Sequence, residues 1–356
     1  MTLMVSIAVI GTVACSFGPS EAFADGPRTL LVTTSFSGDI TRWITSVPLL
    51  DDGRLGPDGT TVTTRERLTI VASPMQPFVY IASGIYSTRG GRLERQGEMN
   101  WSSLTDPYSS WPAIGLSHDA PVLAMVAVTR PELRLRFLRV HPETGVPDLT
   151  TERVQSLGMF VNCAGTVLFS WSGDYLWHSK SDCYKGTRFA RLPFSRSELR
   201  VLPQDALDIY EPEMVGPAIT RDDRFAVVGG KTRTLKTYAL DRRPGGSTSP
   251  PLAFTSQLSG QPWWLRSSPG GRWVAVLVDG KVLTALEIGE NGEIEIRDAL
   301  YLEGPQQAIQ LLFASENVLC IASGERIDVI RFAQGRLALT DVRIVPGLAS
   351  IAIAGY

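Results

Sequence analysis

Two stretches of the chain carry side chains whose types and spacing suit chemistry. The first is Gln261-Pro262-Trp263-Trp264-Leu265-Arg266, paired indoles with a guanidinium two residues further on. Aromatic faces stack on planar or sugar rings at low entropic cost, and an arginine beside them offers a seat for charge. The second is Ser195 to Pro217, which gathers Glu198, Asp205, Asp208, Glu211 and Glu213 around Tyr210. An acidic loop of this kind suits a cation or an amine, or holds a general acid or base. Glu211, Glu213 and Arg266 are therefore the candidate catalytic groups. Each stretch also has a plain structural reading: a Trp packed between repeated units, and a solvated insertion.

Other chemistries find no support in the sequence. There is no glycine-rich phosphate loop, no Gly-x-Ser-x-Gly elbow and no His/Cys spacing suited to zinc, so neither metal nor cofactor is expected. The three histidines read as structural: His118 and His141 in hairpin sequences, and His178 alternating with aromatics in Tyr175-Leu-Trp-His178. Asn100-Trp-Ser102 is a formal N-glycosylation sequon, with meaning only in a eukaryotic secretory pathway. With 34 basic against 36 acidic residues, and the arginines scattered, nothing attracts nucleic acid or an anionic membrane.

The N-terminus has a different character. Leu3 to Ala14 is apolar but too short to span a bilayer, and Ala22-Phe23-Ala24 supplies a small-x-small pattern before Asp25. Residues 1–24 are expected to be a signal peptide cleaved after Ala24, leaving residues 25–356 as a single domain in the periplasm or outside the cell. Lipid attachment at Cys15 and an uncleaved first strand are the alternatives. The expected product has no transmembrane segment and acts as a monomer.

The elements that position these groups show in a repeat. A short apolar run, rich in β-branched and aromatic residues, starts at Thr29, Phe78, Val122, Val167, Phe225, Trp273 and Val318, at intervals of 44 to 58 residues. Near-continuous apolarity over about six residues suits a strand buried on both faces. Turns such as Ile219-Thr-Arg-Asp-Asp-Arg224 and Ser268-Pro-Gly-Gly-Arg272 precede the runs, and alternating strands joined by Gly-containing turns follow them. Four strands per unit, seven units and no amphipathic helix predict an all-β, seven-bladed β-propeller of four-stranded antiparallel blades. The chain opens on the second strand of a unit and ends on an orphan first strand, Ala349 to Ala354. That C-terminal strand is expected to complete the first blade and close the ring, removing a free edge.

The repeat places the candidates. Gln261 to Arg266 enters an innermost strand, and Trp111 and Gln306-Gln307 enter at equivalent places in other units, so all line one channel mouth. The fourth unit is about ten residues longer than its neighbours, and the excess falls in the Ser195–Pro217 connection. If consecutive units adjoin, this acidic connection meets the Trp263–Trp264 segment. Cys163, between first and second strands of unit four, and Cys183, between its third and fourth, are expected to form a disulfide. Cys320, mid-strand, stays a buried thiol.

The hairpins Val47-Pro-Leu-Leu-Asp-Asp-Gly53-Arg-Leu55, Leu138-Arg-Val-His-Pro-Glu-Thr-Gly145 and Leu286-Glu-Ile-Gly-Glu-Asn-Gly292-Glu-Ile294 resemble the repeat of the lactonase-type propellers. That family includes bacterial 6-phosphogluconolactonases and fungal carboxymuconate cyclases. The resemblance implies the propeller fold and a polar site of His, Arg, Asn and Glu around the channel; that cluster has no residue-by-residue match here. The expected function is a module binding a small molecule or a protein at its channel face. The alternative is a lactonase-like hydrolase or cycloisomerase with its site at the channel mouth.

Overall fold

Runs such as Phe225 to Gly229 and Trp273 to Val278 are buried at every position because each is a strand with another sheet on either side. In the computed structural model these strands belong to seven separate antiparallel sheets. The structure describes residues 28–35, 41–65, 70–72, 76–99, 114–116, 121–129, 132–159, 167–170, 172–182, 186–211, 215–230, 232–241, 249–303, 308–333 and 335–355.

Blade 1 contains β1 (Arg28–Thr34), β2 (Arg42–Leu49) and β3 (Thr61–Thr64). Blade 2 contains β4 (Ile70–Ala72), β5 (Phe78–Ile81), β6 (Gly84–Ser87) and β7 (Glu94–Glu98). Blade 3 contains β8 (Ile114–Leu116), β9 (Val122–Thr129), β10 (Glu132–Val140) and β11 (Pro147–Met159). Blade 4 contains β12 (Val167–Phe169), β13 (Tyr175–Asp182), β14 (Gly186–Ser195), β15 (Arg200–Val201) and β16 (Leu207–Glu211). Blade 5 contains β17 (Val215–Ile219), β18 (Phe225–Gly229), β19 (Thr234–Ala239) and β20 (Leu252–Gln257). Blade 6 contains β21 (Pro262–Ser267), β22 (Trp273–Val278), β23 (Val282–Ile288) and β24 (Ile294–Tyr301). Blade 7 contains β25 (Ala308–Phe313), β26 (Val318–Ser323), β27 (Arg326–Ala333) and β28 (Arg336–Ile344). The last strand, β29 (Leu348–Ala354), pairs antiparallel with β1 and is the innermost strand of blade 1, so the ring closes as the repeat requires.

The apolar core is divided among the blade junctions. In β22, Trp273, Ala275 and Leu277 pack with Leu311, Leu319 and Ile330 of blade 7. The alternate residues Val274, Val276 and Val278 pack with Ala218, Val227 and Leu235 of blade 5. The strand's two-residue periodicity thus serves two neighbours at once, which is why the run shows no polar alternation. Each of the other five junctions has its own apolar cluster. Cys320 is fully buried in one of them and is a free thiol, its acidity suppressed by burial to a value of about 12.

One unit departs from expectation. Val167 begins β12, the innermost strand of blade 4, whereas the starts at Phe225 and Trp273 open second strands. The residue equivalent to Phe225 and Trp273 is Tyr175. The amide of Ser170 donates to the carbonyl of Tyr175, as that of Thr220 does to Phe225 and that of Ser268 to Trp273. The slip arose because Leu168 and Phe169 extend an apolar run into a position where β-branched strand residues are also expected. Consequently β14 is the third strand, His178 lies in the second, and the acidic stretch is not a connection to the next blade. Its residues form the hairpin after β14, the 3₁₀ turn Pro203–Asp205 and a fourth strand split into β15 and β16.

Pairing partners also define the two ends of the ring. Connections from a fourth strand to the next innermost strand, and turns between second and third strands, share the front end. Turns between first and second strands, and between third and fourth, share the back. Among the described residues, no helix is long and apolar enough to cross a membrane.

Candidate functional site

Strand β21 carries the front-end aromatic pair and Arg266, and it packs between β17 and β25, the innermost strands of the adjoining blades. Leu265 is fully buried in the junction with blade 5, while Trp264 packs at the junction with blade 7. Alternation along the strand therefore puts Arg266 on the Trp264 side. Its guanidinium lies 5.3 Å from the Trp264 ring centroid. Nη1 donates to the carbonyl of Leu265 at 2.9 Å, the main chain of its own strand.

No carboxylate pairs with Arg266 among the described residues, and burial alone lowers its proton affinity. An arginine does not give up its proton inside a protein. The lowered value therefore reflects a partly buried cation with one carbonyl and one ring face beside it and no carboxylate to balance its charge. Such a group gains from any anion, or developing anion, that reaches it.

The entry to β21 is held by reciprocal bonds. The amide of Gln261 donates to Asp279 Oδ1 at 2.8 Å, and the amide of Asp279 donates to the carbonyl of Gln261 at 2.8 Å. Trp263 follows a register shift in β21 and is 41% exposed. Next around the ring, the innermost strands of blades 7, 1 and 2 enclose a cavity of about 390 Å³ lined by Gln310, Leu312, Ser350, Ala352, Ile70 and Ala72. Gln310 Oε1 accepts from the amide of Ile351 at 2.5 Å and ties β25 to the closing strand.

Glu211 has a different setting. It ends β16 at the outer side of blade 4, and the ammonium of Lys236 lies 2.6 Å from its Oε1, which also accepts from the Tyr238 hydroxyl. Lys236 and Tyr238 lie on β19, the third strand of blade 5. Burial and the neighbouring carboxylate push the Tyr238 phenol well above its usual range. Trp263, Trp264 and Arg266 belong to blade 6, two blades on from Glu211. Only the end of the acidic stretch, residues 215–217 on β17, packs against β21 among the described residues. Glu198 pairs with Arg200 on the exposed hairpin, and Tyr210 is exposed on the outermost strand.

Glu213, Trp111, Gln306, Gln307, His118, Cys163, Cys183 and residues 1–27, including Cys15, lie outside the described residues. His141 is an exposed turn residue whose Nδ1 accepts from the amides of Glu143 and Thr144. No group of three or more metal-ligating side chains occurs among the described residues.

Sequence reasoning missed the partners of Glu211 and a buried pair at the back end. Asp223 is 5% exposed and its Oδ2 accepts from Ser172 Oγ of blade 4. Arg191 of blade 4 donates to the carbonyls of Asp223 and Leu240 and stacks over Tyr175 at 4.2 Å. Burial raises the Asp223 carboxyl to about 6, against the opposing pull of the Ser172 and Ser170 hydroxyls and Arg191. The only sequence signal was the doubled acid in Arg221-Asp-Asp-Arg224, where one carboxylate serves the turn and the other the neighbouring blade.

No family model matches the sequence, and no curated protein matches it. Solved structures do match the fold. The periplasmic gluconolactonase of Pseudomonas aeruginosa is 17% identical, with a TM-score of 0.64 over 93% of this chain and 99% of that one. A Bacteroides uniformis protein provisionally named a 6-phosphogluconolactonase is 12% identical, with a TM-score of 0.59 over 92% and 99%. Kluyveromyces lactis Hsv2 is 11% identical, with a TM-score of 0.53 over 89% and 100%. The fold is that of the lactonase-type propellers, and at these identities the likeness is one of fold.

Proposed function

We propose that this protein is an exported lactonase-like hydrolase that opens, or as a cycloisomerase closes, a small lactone ring in its channel. The observation that carries the reading is Arg266: a partly buried cation on an innermost strand, beside Trp264 and with no carboxylate partner among the described residues. Attack of water on a lactone carbonyl puts negative charge on the carbonyl oxygen. The C–O ring bond then breaks, the ring oxygen takes a proton, and a hydroxy-carboxylate remains. Arg266 matches the charge of the oxyanion and of the product. A preformed donor of this kind contributes about 10²–10³ in rate where mutation has removed one. The reading is also supported by the periplasmic gluconolactonase among the structures of like fold, and it agrees with the signal-peptide pattern of residues 1–24. The proposed reaction needs water and side chains, takes place in the periplasm or outside the cell, and asks no more than a monomer.

A second reading, a ligand- or protein-binding module using the same face, is favoured by Trp263, whose indole stands exposed at the entry to β21. Following acid release from an aldono-1,5-lactone, above its spontaneous opening, separates the two. Under the hydrolase reading the purified protein accelerates ring opening and R266Q loses about two orders of magnitude in kcat/KM. A wild-type rate equal to the uncatalysed one would leave only the binding role.

A further inference from the structure

A second cavity stands at the front end between blades 4 and 5, away from Arg266. It measures about 210 Å³ and is lined by Glu211, Lys236, Thr232, Thr234, Val228 and the main chain of Gly229 and Gly230. That is an order of magnitude more room than one water needs. Glu211 uses Oε1 for both Lys236 and Tyr238, and its Oε2 has no partner among the described residues. Lys236 has three N–H donors and spends one on Glu211. The Thr232 and Thr234 hydroxyls bond each other at 2.8 Å, leaving each with further capacity. Val228 and the two glycines give the cavity a flat apolar side.

We propose that this cavity binds a small uncharged polyol of monosaccharide size. The charges of Glu211 and Lys236 cancel, so a net-charged ligand gains little from the walls. A vicinal diol suits them: one hydroxyl donates to Glu211 Oε2 while its neighbour accepts from the Lys236 ammonium. The threonine hydroxyls take either role, and the C–H face of a sugar ring covers Val228 and the glycines. Tyr238, held on Oε1, keeps Oε2 turned free. Glycine at 229 serves the other neighbour, since a Cβ there would meet Pro262 of blade 6 at 2.8 Å, and towards the cavity this corner is main chain.

Titration calorimetry with glucose, galactose and glucosamine, and with gluconate on the R266Q protein as the charged counterpart, tests the site. At least one neutral hexose should saturate the wild-type protein, with an affinity that added salt leaves unchanged. T232A should weaken it about tenfold and the double variant E211Q/K236Q should abolish it, while R266Q leaves it intact. T232A touches neither member of the ion pair, so it reports even if the double variant misfolds, which circular dichroism would show. Failure of every neutral sugar to saturate at ~10 mM, tighter and salt-sensitive binding of glucosamine, or of gluconate by R266Q, or binding indifferent to T232A would overturn the proposal. None of those results touches the lactone reading, which is scored by hydrolysis and by Arg266.

Discussion

Gly292, in the outer hairpin of blade 6, lies directly against the ring of Phe225, the residue that opens the second strand of blade 5. A Cβ on Gly292 would stand 2.9 Å from Phe225 Cε1, and the residue's φ is +89°. The same relation recurs between Gly145 of blade 3 and Phe78 of blade 2, where the Cβ would stand 2.6 Å away at a φ of +72°. The glycine that ends the acid-x-Gly hairpin signature is therefore required twice, for its left-handed backbone and for the aromatic of the preceding blade.

G292A should therefore lower stability by about 1–3 kcal/mol from backbone strain, with a further loss from displacing Phe225. Gly90 supplies the comparison, since it has a φ of +69° and nothing within 4 Å of its Cβ position. G90A carries the strain without the clash. Thermal melts of the two variants separate the effects, and equal Tm losses would show that the aromatic contact contributes nothing.

Asp223 should make stability depend on acidity in an unusual direction. Its carboxyl binds a proton near pH 6 in the folded protein and near 3.8 in the unfolded chain. Between those values the folded state holds more protons, so stability falls as pH rises from about 4 to 6. The contribution is fully present below pH 4 and amounts to roughly 3 kcal/mol at one pKa unit per 1.36 kcal/mol. D223N keeps the shape and tolerates the positive φ of 54°. Urea melts from pH 4 to 7 should show a flatter profile for D223N than for the wild type; parallel profiles would mean that Asp223 is ionised throughout.

Cys163 and Cys183 are expected to be joined. Cys163, expected between first and second strands, falls between the described strands β11 and β12, and Cys183, expected between third and fourth, falls between the second and third strands β13 and β14. Val167 pairs with His178 and Asp182 pairs with Gly186, so the described residues that flank both cysteines stand at the front end of blade 4. A bridge closing about 20 residues would contribute roughly 3 kcal/mol in the chain-entropy picture. Peptide mapping without reduction should recover the linked pair, and alkylation of both thiols in unreduced protein would show them free.

The fold was legible because a buried propeller strand must satisfy two neighbours, which leaves continuous apolar runs at a regular spacing. The orphan strand ending at Ala354 likewise announced closure, since its partner β1 lacked an inner neighbour. Blade 4 was misread for a local reason: Val167-Leu-Phe169 is as apolar as a second strand, and the strand order, with the main-chain bond between Ser170 and Tyr175, distinguishes them. Trp264 and Arg266 could be paired from sequence, because two residues of one strand share a face. The partners of Glu211 could not, because Lys236 and Tyr238 reach it across a blade junction whose register no local pattern encodes.

The central claim is that Arg266, on the innermost strand β21 of blade 6, is the seat of an anion in the channel. Measuring the affinity of an aldonate, the ring-opened product, for wild type and R266M at low and high salt addresses it directly. The account expects the wild type to bind the carboxylate, salt to weaken that binding, and R266M to lose at least tenfold while keeping its fold. Equal affinity in the two proteins would contradict it.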